Sequence, residues 1–442
     1  MNFIKNYKNI ILELISIFII TLLFNIICNP LTNDEVWNYG FTYNISNGLI
    51  PYKDFNLVIT PLFPFLGAIF LIIFGKSLIV YHVFNAIICT LIFYFMKKST
   101  NKCYYITYSI LLLFALPNYS LFCMLLLYII IYLEKNSKNN LLIGIFIGLT
   151  FLTKQNIGII FIIPTLFTKK TKEIKIRAIG FLLPNIIFLI YLIFTNTFFS
   201  FINYAFLGLT DFASENTILS QWGTLTIISI IYLLFEYKRK REITILYLLC
   251  FQFLAFPMFD TYHVMISFIT TLGYFLSHLK LMIKVTRICF CIFVLFFFIH
   301  NAYNIINGNN KIPNNTFAYK LRPLNNDSIY YIKEISNYIK KNPDVYIING
   351  NAYLYKLEAN IPITKYDLLN DGNLGKNGDI KIIEELNKKC KNNACTFLML
   401  ENEIGNSTLS QTNQNIINYV NENYEKYNTL TNLTIYKNEV NK

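Results

Sequence analysis

Long apolar runs alternate with short polar breaks from Ile10 to Tyr303, and beyond that point the pattern changes. Runs approaching ~20 apolar residues are what a helix needs to cross a bilayer. The first part therefore predicts a polytopic α-helical membrane protein. The opening run, Ile10 to Cys28, follows Lys5 and Lys8. It is longer than a secretory core and has no small-x-small cleavage site after it, so an uncleaved first span is expected. After Tyr303, shorter amphipathic and extended segments take over. Asp327 to Lys341, Asp379 to Cys390 and Gln411 to Tyr424 predict helices; Val345 to Ile348, Thr396 to Leu400 and Leu433 to Tyr436 predict strands. The expected organisation is a membrane domain over 1–303, its first outer loop at about 29–78, and a small soluble α/β domain over 304–442.

Composition sharpens the class. Of 442 residues 55% are apolar and 14% charged, and the net charge is +13. The cations gather in alternate breaks: Lys97 to Lys102, Glu134 to Lys138, Lys169 to Arg177, Glu236 to Glu242 and Lys280 to Arg287. The breaks between them, at Pro117 to Tyr119, Thr153 to Asn156, Asn203 to Gln221 and Phe256 to His263, are poor in Lys and Arg. The positive-inside rule then puts the N-terminus in the cytoplasm and the second set of breaks, with the C-terminal domain, outside the cell membrane. Parity is restored most simply if the run Leu57 to Phe74, broken by Pro61 and Pro64, re-enters rather than crosses, which gives about 11 spans; two further breaks restore it as well, so the expected range is about 11–13. Cations used this way leave no aromatic-interleaved basic face, and nucleic acid is not an expected partner. Seven of nine cysteines lie in or beside apolar segments; Cys390 and Cys395 either close a short disulfide or remain thiols.

Ionisable groups next to membrane spans are costly and mark candidate sites. The stretch Thr32 to Pro64 holds Asp34, Glu35, Lys53 and Asp54. The plainer reading of Thr32-Asn-Asp-Glu35 is a capping box at a helix start, and that of Lys53 beside Asp54 an exposed ion pair. Lys154 ends an apolar run on the outer side, where it either meets phosphate or reaches the headgroups; Gln155 follows it. Asp260 and His263 share one face if their segment is helical. With Asp34 and Lys154 they meet on the outer face in every topology that respects the charges. His82, His278 and His300 lack ligand spacing, so zinc is not expected. A Mg²⁺ or Mn²⁺ shared by Asp34 and a second acid is compatible with the composition, but no cofactor is dictated. Trp37, Tyr39, Tyr43, Tyr52 and Trp222 suit sugar stacking or an interfacial belt equally. The Gly-rich loop Asn370 to Gly378 lacks a phosphate-loop ending.

The order of these elements resembles the GT-C superfamily of membrane glycosyltransferases, nearest to the branch of protein O-mannosyltransferases and aminoarabinose transferases. The resemblance is carried by Asp34-Glu35 after the first span, Asn47-Gly48, Pro51-Tyr52, Asp54-Phe55, Pro61-Leu62, the run Gly148 to Lys154, and Asp260-Thr-Tyr-His263. It departs from better-known members at Lys53-Asp54-Phe55, where a Glu-Lys-Pro-Pro element is expected, and at Val36-Trp37-Asn38, where an Arg is. The resemblance implies an inverting transfer from a polyprenyl-phosphate-linked sugar to a glycan, lipid or protein acceptor of the cell envelope. It makes Asp34 and Glu35 the catalytic acids, with Asp34 the base; adjacent helical residues point about 100° apart, so the two serve different atoms. It makes Tyr52, Lys53, Asp54, Lys154, Gln155, Asp260 and His263 substrate-binding. An envelope polysaccharide ligase or polymerase with a diphosphate-linked donor, and a lipid-linked sugar flippase or transporter, are the competing readings.

Overall fold

A computed structural model describes residues 2–29, 32–99, 103–137, 139–168, 170–216, 222–279, 282–307, 326–391, 394–399 and 412–437. The expected basic breaks at Lys102, Lys138, Lys169 and Lys280, together with Gln221, Leu400 and Gln411, lie outside the described residues. Among the described residues, five helices are long and apolar enough to cross a membrane: Lys8–Cys28, Leu78–Ser99, Tyr119–Asn136, Thr171–Phe194 and Ile283–Asn304. Between them lie shorter apolar helices: Leu62–Phe74, Asn140–Phe151, Gln155–Leu166, Ile243–Ala255 and Thr261–Leu276. The 13 residues of Leu62–Phe74, rising 1.5 Å each, reach about 20 Å, short of the ~30 Å hydrocarbon core. Its first turn is tied to the end of Asn140–Phe151, where Leu62 N donates to Leu152 O at 2.9 Å and Thr60 Oγ1 to Phe151 O at 2.6 Å.

Burial orders the bundle. Over its apolar window Tyr119–Asn136 is 72% buried, against 17% for Thr171–Phe194 and for Ile283–Asn304. The first is therefore central, and the other two turn side chains such as Ile187, Phe194 and Ile299 outward. Helices Asn140–Phe151 and Thr171–Phe194 meet backbone to backbone. A Cβ on Gly144 would lie 2.1 Å from Arg177 O, and one on Gly180 2.3 Å from Leu141 O. Small residues are what let helices approach so closely where lipid offers no hydrophobic gain.

The C-terminal unit is a four-stranded sheet in the order β1-β2-β4-β3, with β1 Tyr346–Ile348, β2 Thr396–Met399, β3 Glu425–Leu430 and β4 Leu433–Lys437. The β1–β2 pair is parallel and the other two pairs antiparallel. Helices Asn326–Lys341, Ala352–Ala359, Gly378–Cys390 and Gln414–Asn423 accompany it, and Cys390 and Cys395 form a disulfide. The α/β expectation thus holds for this unit, with helix Ala352–Ala359 and strand β3 added. The polar sequence of β3, almost wholly exposed, has no apolar alternation to announce it.

This unit is docked on the bundle rather than tethered to it. Tyr353, Leu357, Ile363 and Leu368 join the core of the helical part. Asn44, in helix Asn33–Ser46, exchanges two hydrogen bonds with the Ile363 backbone, Nδ2 to O at 2.8 Å and N to Oδ1 at 3.1 Å. The backbones also touch: a Cβ on Gly208 would stand 2.8 Å from Gly375 Cα.

Candidate functional site

Helix Asn33–Ser46 begins with a cap: Thr32 Oγ1 accepts from Glu35 N at 3.3 Å. Only half of a capping box forms, because the Glu35 side chain turns into the core and meets His82 Nε2 at 3.1 Å. Asp34, one residue earlier, faces the other way onto a cavity of about 450 Å³ between the bundle and the C-terminal unit. The cap therefore orients the helix start, and the turn of about 100° between neighbours sends the two acids to different faces. Asn38, four residues on and on the same face, also lines the cavity, and its Nδ2 donates to Asp34 O at 2.7 Å. Among the described residues the Asp34 carboxylate accepts no hydrogen bond.

Lys154 and Gln155 reach the same cavity from the break between two short helices. Lys154 Nζ donates to Leu254 O at 3.2 Å and lies 5.4 Å from the centroid of the Tyr119 ring. Gln155 Nε2 donates to Val58 O at 2.9 Å and Ala205 O at 2.8 Å. His263 arrives from the start of helix Thr261–Leu276, which Asp260 caps: Asp260 Oδ1 accepts from His263 N at 3.0 Å, and Oδ2 lies 2.6 Å from the ring Nδ1. The other ring nitrogen, Nε2, is 3.4 Å from Tyr119 Oη. Asp260 thus holds the imidazole through one nitrogen and leaves Nε2 toward Tyr119.

The electrostatics follow from enclosure. Burial pushes the Asp34 carboxyl up; His263 and Lys154 pull it back and Asp260 adds to the rise, leaving it above the usual range. Burial also works to raise Asp260, but the His263 ring, its hydrogen bonds and Lys154 outweigh it and hold that carboxyl well below the usual range. Burial brings the Lys154 ammonium down to about 8, against the opposing pull of Cys123, Asp260 and Asp34. Two carboxylates in one neighbourhood therefore separate, one raised and one lowered, the pattern that divides roles in acid–base chemistry.

Of the residues singled out from sequence, Asp34, Lys154, Gln155 and His263 line the cavity, with Asp260 behind His263. Glu35 does not, being fully buried against His82. Nor do Tyr52, Lys53 and Asp54. Tyr52 is buried and donates to Ile59 O at 2.7 Å, Asp54 Oδ2 accepts from Ile50 N at 2.7 Å, and Lys53 is exposed. They shape the turn that carries Leu57, Val58 and Ile59 into the cavity wall. Trp37 lines the cavity; Tyr39 is core and Trp222 exposed. Sequence reasoning left out Tyr119, Asn38, Asn370 and Asp371. Asn38 was legible from its i+4 spacing to Asp34. Asn370 and Asp371 come from the Gly-rich loop of the C-terminal unit, and only the docking of that unit brings them here. Among the described residues no group of three or more His, Cys, Asp or Glu gathers closely enough to hold a metal ion.

No family model and no curated protein matches the chain. Among solved structures it is similar to the crystal structure of the Archaeoglobus fulgidus oligosaccharyltransferase in complex with Zn and sulfate, at 12% identity and a TM-score of 0.43, over 96% of this chain and 72% of that one. A likeness so slight assigns neither fold nor activity. The class is defined by the molecule itself: a membrane protein of several apolar helices, topped by a small α/β unit, with a charged cavity at their junction.

Proposed function

We propose that the chain is a GT-C-type membrane glycosyltransferase that moves a sugar from a polyprenyl-phosphate donor to a cell-envelope acceptor. The observation that carries this is the convergence on one cavity of Asp34, Lys154 and His263, from three segments separated by about a hundred residues each. In this reading the cavity lies at the outer membrane face, with the N-terminus cytoplasmic and about 11–13 spans once helices Tyr104–Leu112 and Gly223–Lys240 join the ten apolar helices above.

Asp34 takes the proton of the acceptor hydroxyl as its oxygen attacks the anomeric carbon of the donor sugar. The bond from that carbon to the phosphate oxygen breaks, and the phosphate leaves with the electron pair. Attack opposite the leaving group inverts the anomeric centre. A carboxylate that accepts no hydrogen bond from the described residues and is raised by burial is suited to this, since a base works best with its pKa brought toward the working pH. Lys154 and His263, the latter oriented by Asp260, stabilise the charge that grows on the departing phosphate. Leu254, Phe256, Pro257 and Met258 give the cavity one apolar wall, which accepts the first prenyl units.

The test uses purified protein in lipid vesicles with a panel of radiolabelled polyprenyl-phosphate sugars and an envelope extract. The proposal expects label on an acceptor. Label that crosses the bilayer while still on its prenyl carrier would replace transfer by flipping.

A further inference from the structure

We infer that the wall supplied by residues 368–373 recognises hydroxyl groups of the acceptor, and that the acceptor is a glycan rather than a lipid or a peptide; this rests on the transferase reading above. The cavity is chemically divided. Its cation, Lys154, and the His263 ring come from the helical bundle, whereas among the described residues the C-terminal unit contributes Leu368, Asn370, Asp371 and Asn373 and no cation. A leaving phosphate belongs with the first set. Amides and a carboxylate suit neutral groups that both donate and accept, which is what a sugar hydroxyl is.

The amides also carry unmet capacity. Asn370 is 5% exposed and its Nδ2 has no partner among the described residues. Asn38 and Gln155, 4% and 3% exposed, each keep an unpartnered side-chain oxygen. Among the described residues, one donor and two acceptors without partners thus belong to residues lining a single cavity, and buried polar atoms without partners are costly enough to need a reason. A polyhydroxylated ligand supplies one, because each hydroxyl can donate to a carbonyl and accept from an amide. An acyl chain would leave all three unmatched.

The wall is held in place from behind. Lys356 Nζ lies 2.6 Å from Asp367 Oδ2, with both residues buried, and the same oxygen accepts from Thr364 N at 2.7 Å and Oγ1 at 2.9 Å. On the far side, Asn413 N donates to Leu369 O at 2.8 Å and the Asn413 amide to Asp371 Oδ1. Side chains fixed before the ligand arrives bind it without losing freedom on binding.

The experiment uses the full chain in vesicles, a labelled polyprenyl-phosphate hexose, and three acceptors: a soluble hexose oligosaccharide with its singly deoxygenated analogues, a Ser/Thr peptide, and diacylglycerol. Transfer to the oligosaccharide is expected. Asn370→Ala should raise its KM about 3–10-fold, the worth of one neutral hydrogen bond, while kcat and donor affinity stay put; the unchanged donor affinity reports a folded site. One deoxygenated oligosaccharide should lose the same factor with the unaltered protein and nothing further with Asn370→Ala. Asp371→Asn, which keeps side-chain size, should give a smaller rise. Preference for the peptide or the diacylglycerol overturns the inference, as does an unchanged oligosaccharide KM in both variants. If label stays on its prenyl carrier with every acceptor, the transferase reading itself fails and takes the inference with it.

Discussion

The two ends of helix Tyr119–Asn136 hold charge in opposite states, buried at one end and half-buried at the other. Its 18 residues separate them by about 27 Å. At the far end Glu134 and Arg177 close on each other: Nη1–Oε1 is 2.6 Å and Nη2–Oε2 3.1 Å, with Arg177 Nε on Asn140 Oδ1 at 2.8 Å. That pair is one to one and bidentate, and it ties three helical segments together. At the near end, Tyr119 stands among Asp34, Asp260, Lys154 and His263, and only the Asp260–His263 contact is a close ion pair. Saturated pairing marks a device that holds helices. Charges left apart around open volume mark one that acts on something else.

The comparison breaks most visibly at Asp34. Asp34→Asn should lower transfer by about 10²–10⁴-fold, the usual worth of a positioned general base, in a turnover assay. Glu35→Gln, one residue away but turned to His82, should stay within a few-fold. At the other end the sign of the readout reverses. Glu134→Ala should cost about 3–5 kcal/mol of stability by stranding the Arg177 charge, measured by thermal melting in detergent, with turnover per folded molecule unchanged. A Glu134→Ala, Arg177→Met double variant should regain much of the loss.

Protonation gives an intermediate effect. Asp34 acts deprotonated and its carboxyl is raised, so activity should fall with decreasing pH through a limb above the ordinary carboxylate range. Lys154 acts protonated, and its ammonium is lowered to about 8, so activity should fall again as pH rises through that value. Asp260, held low, should stay ionised across the whole range. Lys154→Met should lower the maximum about tenfold or more and erase the basic limb, because a charge-assisted contact to phosphate is lost. The smallest effect belongs to Lys53→Ala, which should change turnover by less than about twofold, as for other exposed charges.

Much of this site was legible along the chain. Asp34, Lys154 and His263 stand out because an ionisable group beside an apolar run has few cheap reasons to be there. Asp260 follows from its three-residue spacing to His263. What misled was proximity in sequence. Glu35 adjoins Asp34, yet the helical turn of about 100° per residue sends it to a histidine, His82, inside an apolar run with no signal of its own. Lys53 and Asp54 share the same polar stretch but serve a turn. Tyr119 looks like any interfacial tyrosine until Lys154 is placed over its ring. Asn370 and Asp371 sit more than three hundred residues from Asp34, and no local pattern encodes a meeting that depends on Asn44 gripping the Ile363 backbone.

The most direct test of the shared cavity is a single turnover with donor already bound. Asp34→Asn protein in vesicles is loaded with labelled polyprenyl-phosphate sugar, mixed with acceptor and sampled over time. The account predicts donor affinity equal to that of the unaltered protein, with the sugar remaining on its carrier at least about a hundredfold longer. Release of the sugar to acceptor at the unaltered rate would contradict it.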